Sequence, residues 1–270
     1  MIVAVWNYCR VDVSKRVAAL LALAGINSYG VSVALFENNI NGELFGDMFI
    51  DRQYSRTLRE DGMRYADRGR GEKARIFMEG KFNRRCYGNN LVTLIDDALY
   101  YGVQYNDENY NVFNENIVMR YTEFIAEAEQ KADYHLIAID RGDNSSSIHI
   151  VDDADKVVVI ISPDDYDFNR FFDNYRMIRY KCIFVLVSNR HIPKKTLDHL
   201  KSMYGLKNDE LFEYVETDAL CDYVLTSGIM EYVKRFGSPE RGSSEYRLHT
   251  QIVRISQKVF NGMVPVTSAL

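Results

Sequence analysis

At 270 residues, with 47% apolar and 13% aromatic side chains, the chain can bury a substantial core and falls outside the disordered class. A formal charge of −5 argues against nucleic acid as a partner of the whole chain, leaving room only for a local basic patch. Cys9, Cys86, Cys182 and Cys221 show neither CxxC nor Cys/His ligand spacing, so they read as reduced thiols of a cytosolic protein.

The apolar N-terminus is interrupted at Asn7, Arg10 and Asp12 before a signal-peptide core forms. No stretch reaches the roughly 18–20 apolar residues of a membrane span. A soluble, cytoplasmic protein is expected.

Residues 2–6 (IVAVW) predict a strand, and 13–25 a helix with Val17, Leu20, Leu21 and Ala24 on one face, ended by Gly25 and Asn27. Residues 31–36 (VSVALF) predict a second strand before the turn-forming ENNING. Helices are expected over 90–102 and 114–132. Residues 135–139 read as a strand ending at Asp140, followed by a polar loop and a short helix to Asp155. Strands over 157–161 and 182–187 alternate with helices over 167–180 and 193–204, and a last helix spans 243–259. Near-continuous apolar runs separated by helices indicate parallel strands covered on both faces. The middle, about 51–133, breaks this rhythm, with an arginine-rich half followed by an acidic one.

A strand, a turn and an amphipathic helix form the skeleton of a phosphate-binding loop. Such loops depend on glycine, whose missing side chain lets backbone N–H groups approach phosphate oxygens. A lysine and a Ser/Thr hydroxyl complete them. Here the turn is NYCRVDVSKR, without a glycine. Its local chemistry alone does not identify a nucleotide site.

As a frame, IVAVWNYCRVDVSKRVAALLALAG resembles the opening of MinD/ParA-type proteins: an apolar strand, a deviant loop of the form KGGVGKTT, and a helix carrying A-x-x-L-A. Asn7 matches a residue common before the loop, and Ala18, Leu21 and Ala22 match the helix. Cys9 stands for the signature lysine, and Arg10, Val11 and Val13 for glycines. Ser14 stands for the phosphate lysine and Lys15 for the Mg²⁺-binding threonine. A one-residue slip puts Lys15 at the lysine position and Arg16 at the threonine position. Both registers lose the metal hydroxyl. Further segments follow in family order. VALFENNING sets Glu37, Asn39 and Gly42 on the D-x-D-x-x-G switch, and DYHLIAID places Asp140 at the metal-proximal end of a strand. DADKVVVIISP follows A-D-x-V-x-x-V-x-x-P with Ile160 for a valine, and LVSNR sets Asn189 at the base-contacting asparagine.

The resemblance implies one α/β domain over 1–270, with a mostly parallel central sheet, helices on both faces and an elaborated middle. It implies ATP or ADP as the ligand, here bound weakly. Cys9, Arg10, Ser14, Lys15, Arg16, Glu37, Asn39, Asp140 and Asn189 form the vestigial nucleotide site. No catalytic residue is assigned, and metal binding stays open. Each position has a plainer reading: Lys15 as a solvated first-turn lysine, Glu37, Asn39 and Asn189 as turn residues, and residues 145–147 as an N-cap cluster.

Three functions compete: a non-hydrolysing positioning or assembly factor, resembling the TadZ/CpaE branch; an active or weak ATPase; and a DNA-associating partition-type protein. The loop favours the first, because losing one charge-stabilising donor commonly costs about 10²–10³ in rate and several are missing together. The expected partner is a second copy or a protein of a larger assembly. Nucleic acid is not expected, and membrane contact is peripheral at most. Tyr8, Val11 and Val13, larger and more apolar than glycines, are a candidate interface; packed inward, the valines extend the core instead. Leu248, Ile252, Ile255 and Val259 form one face of the last helix, which is expected to dock on the domain.

Overall fold

The computed structural model describes residues 1–9, 13–38, 48–49, 91–102, 110–139 and 144–260. Its strands are β1 (Ile2–Asn7), β2 (Val33–Asn38), β3 (Leu91–Ile95), β4 (Leu99–Gly102), β5 (Tyr134–Ile139), β6 (Lys156–Ile161), β7 (Cys182–Ser188) and β8 (Leu211–Val215). Its helices are α1 (Ser14–Tyr29), α2 (Tyr110–Ala128), α3 (Ser145–Asp153), α4 (Asp165–Tyr175), α5 (Lys194–Tyr204), α6 (Asp218–Leu225), α7 (Ile229–Phe236) and α8 (Ser244–Val259), with a 3₁₀ turn at Arg176–Lys181.

The eight strands form one sheet in the order β3-β4-β2-β5-β1-β6-β7-β8. All pairs are parallel except β3 with β4. This is the expected architecture. β1 lies between β5 and β6, buried on both sides, which is why it reads as an unbroken apolar run. Its side chains alternate between two cores. Val3 and Val5 pack with α1, α8 and Tyr232 of α7, whereas Ala4 and Trp6 pack with Phe124 of α2, Ile150 of α3 and Phe171 of α4. Each fully buried large side chain contributes about 1.5–3 kcal/mol.

Several local expectations are corrected. Within the expected helix over 90–102, residues 91–102 form instead the hairpin β3–β4, turning through Asp96 and Asp97, the latter at φ 58. Aspartate tolerates that left-handed geometry, and LVTLI carries the β-branched side chains that suit a strand. α1 does not stop at Gly25 but runs to Tyr29, capped by Gly30 at φ 64. Gly25 serves packing: a Cβ there would lie 2.6 Å from Cζ of Phe260. α4 ends at Tyr175, short of the expected 180. The N-cap of α3 is Asn144, whose side chain accepts from the Ser147 N–H at 2.7 Å, not the serine cluster itself. β8, α6 and α7 were not anticipated. α8 docks as expected, with Leu248, Ile252, Ile255 and Val259 in the core beside α1.

Candidate functional site

The C-terminal ends of β1 and β2 carry the groups to test, as α/β sheets generally place them. Asn7 is fully buried; its Nδ2 donates to the Cys9 carbonyl at 3.3 Å, and the Cys9 thiol lies 3.5 Å from its Oδ1. Tyr8 extends the pairing with β6 through its N–H to the Ile160 carbonyl. Its ring packs edge-on against Trp6 and Phe171, with the Arg170 guanidinium 5.5 Å from the ring centre. Tyr8 and Val13 are 6% and 1% exposed. Both are buried side chains in this chain. Val11, the third candidate interface residue, lies outside the described residues, as do Arg10, Asn39 and Asp140 of the candidate nucleotide site.

Ser14 opens α1 and is buried. Lys15 is not the solvated lysine of the plainer reading: only 9% of it is exposed. Its ammonium lies 3.6 Å from Oε2 of Glu37, a fully buried carboxylate whose other oxygen accepts from the Tyr101 hydroxyl at 2.7 Å. One buried anion is thus met by an ammonium from α1 and a phenol from β4. The next residue, Asn38, donates to the hydroxyls of Ser146 and Ser147 at 3.2 and 3.1 Å, and Ser146 donates to the Asn144 side chain. This network ties β2 to the start of α3.

Arg16 points away from that pair. Its guanidinium binds Glu216, just past β8, through Nε and through Nη2, the latter at 3.1 Å. Burial works against the Arg16 charge, but the hydrogen bond and the charge of Glu216 outweigh it and raise its pKa. Glu216 also accepts from Tyr214 at 3.0 Å and lies 3.6 Å from the Cys221 thiol, whose pKa is raised by burial and by Glu216. Asn189 follows β7 and lines a cavity of about 390 Å³ with Arg190, Glu216 and Thr217. The sequence candidates therefore separate into two stations. Lys15 and Glu37 meet at one, Asn189 stands at the other, and Arg16 reaches from α1 to its wall.

Nearly the whole length of each chain superposes on partition and division ATPases. A ParA family ATPase from Chlorobium tepidum TLS matches with a TM-score of 0.61 at 13% identity, covering 94% of this chain and 98% of that one. This is the MinD/ParA fold. The pNOB8 ParA bound to nonspecific DNA matches at 0.59 and 10% identity, over 97% and 99% of the two chains. MinD in the MinC:MinD complex of Aquifex aeolicus matches at 0.58 and 13%, over 100% and 99%. No family model and no curated protein matches the sequence. No helix among the described residues is long and apolar enough to cross a membrane.

The fold family implies a nucleotide-bound Mg²⁺, held by a hydroxyl at the start of α1 and approached by carboxylates. Among the described residues the donor set does not fit that ion. Mg²⁺ demands oxygen ligands at about 2.0–2.1 Å in octahedral array. In the ungapped register Lys15 takes the hydroxyl position, and its ammonium already neutralises Glu37. A divalent cation there would meet a like charge. Tyr101, Asn38 and Glu216 escaped the sequence reading as site residues, and Ser146 and Ser147 were read only as part of an N-cap cluster. Only Asn38, adjacent to the switch position, carried a signal that could have found it; the others are brought in by pairing across the sheet.

Proposed function

We propose that this MinD/ParA-fold protein is a non-hydrolysing positioning or assembly factor that works by binding protein partners in the cytoplasm. One observation supports this above the rest: the buried Lys15–Glu37–Tyr101 cluster joins the two positions that the sequence resemblance sets against the family's metal hydroxyl and switch carboxylate. Phosphoryl transfer in such sites rests on positioning and on charge stabilisation by metal and backbone donors. Here an internal ion pair takes the place of the first, and in a loop without glycine side chains stand in the way of the second. The loosened loop resembles the TadZ/CpaE branch, which points to localisation of a pilus or secretion apparatus. A protein-bound relative of the same fold is seen in the MinC:MinD complex. DNA is the partner in the pNOB8 ParA structure; in this chain the arginine-rich stretch that would favour it lies outside the described residues.

The test is ATP hydrolysis by the purified protein, with no turnover above background expected. A steady turnover abolished by Lys15→Ala, at a temperature where that variant is folded, overturns the proposal.

A further inference from the structure

Among the described residues β8 is an edge strand, paired on one side only. The Phe184 N–H donates to the Glu210 carbonyl, which fixes the ladder. The main-chain groups of Phe212 and Tyr214 then face β7, and those of Leu211, Glu213 and Val215 face outward. The Val215 N–H is taken by the Gln251 side chain at 3.0 Å. Among the described residues no hydrogen bond is made by the outward N–H and C=O of Leu211 and Glu213.

This edge is the floor of a slot of about 540 Å³, walled by Leu197 and Lys201 of α5 and by Gln251, Arg254 and Lys258 of α8. The half-buried Phe212 ring supplies an apolar surface. Both acids in the slot are already engaged. Asp209 accepts from Lys258 at 2.6 Å, and Glu213 accepts from the Ile192 N–H beside His191. Lys201 is occupied by Asn208 at 3.1 Å. The exposed Arg254 guanidinium has no ion pair among the described residues. What remains is a row of alternating donors and acceptors beside one uncompensated cation.

We propose that β8 is a docking edge for an extended, acidic peptide segment of a partner protein, which adds as a further strand and sets a carboxylate against Arg254. Strand addition uses the main-chain row for affinity and side-chain positions for specificity. A second copy fits less well, because the acids of its own edge, Asp209 and Glu213, are already engaged and leave no carboxylate to offer Arg254. Nucleic acid offers phosphates to Arg254 but no matching strand of N–H and C=O groups. The inference is independent of whether the loop hydrolyses nucleotide.

The probe is a fluorescein-labelled pentapeptide, Thr-Val-Glu-Val-Thr, with glutamine and lysine versions as controls. Anisotropy should show the glutamate peptide binding, with affinity falling about tenfold for the glutamine peptide and for Arg254→Glu. The lysine peptide should regain affinity on Arg254→Glu, a reversal that a folding defect cannot produce. Amide exchange at Leu211 and Glu213 should be fast in the free protein and slow in the complex. The proposal is overturned by an absence of binding at millimolar peptide, by affinity indifferent to Arg254→Glu, or by amides already protected in the free protein.

Discussion

The Lys15 ammonium lies 3.6 Å from the Glu37 carboxylate, the two side chains being 11% and 0% exposed. A buried pair of this kind gains little over apolar substitutes, yet removing one partner takes a counter-charge from the other in a medium that solvates it poorly. Lys15→Ala is therefore expected to cost about 3–5 kcal/mol. The double variant Lys15→Met/Glu37→Gln should recover most of that loss, since glutamine still accepts from Tyr101. Urea denaturation of the three proteins checks this. A cost below about 1 kcal/mol for Lys15→Ala would place the pair with ordinary surface ion pairs.

The same relationship governs nucleotide binding. In the ungapped register, which sets an ammonium at the metal position, ATP affinity measured by calorimetry should be weak and the same with Mg²⁺ as with a chelator. Tight binding that requires Mg²⁺ contradicts the mismatch between Lys15 and the ion.

Gly25 gives a packing prediction. Alanine is favoured over glycine by about 1 kcal/mol in an exposed helix, but here its Cβ would sit 2.6 Å from Cζ of Phe260, itself fully buried. Overpacking of this kind costs about 1–3 kcal/mol. Gly25→Ala should lower the melting temperature, and adding Phe260→Leu should restore part of it. A stabilised Gly25→Ala protein would mean that the ring swings aside at no cost.

His135 sets a pH dependence. It is buried on β5 beside Phe124, and burial, with the positively charged N-terminus nearby, lowers its pKa from the usual 6.5. The unfolded chain therefore binds the proton more readily than the folded one. The His135 contribution to stability is fully present above pH 6.5 and is lost as pH falls through the depressed folded value. Urea midpoints between pH 7.5 and 5 should fall for the native protein and fall less steeply for His135→Leu. Parallel profiles for the two proteins would exclude His135 as the source.

The sequence by itself determined the layered parallel architecture, because strands buried on both faces must be apolar throughout and the helices between them must carry an apolar stripe. It also exposed the loss of glycine from NYCRVDVSKR, a matter of residue identity that needs no coordinates. It could not show that 91–102 is a hairpin, since short apolar runs fit either period and the pairing with β2 decides between them. Gly25 read as a helix stop because glycine is a frequent terminator; only the approach of Phe260 from the far end of the chain shows why the helix tolerates it. The site divides in the same way. Lys15, Glu37 and Asn189 were legible by position, but their separation into two stations was not. Lys15 read equally well as solvated, and Tyr8 and Val13 as an interface, because burial is a property of the surrounding fold. Glu37 meets Lys15 from 22 positions away and Tyr101 from 64. Local spacing carries no record of such contacts, which arise only when β4, β2 and α1 are laid side by side.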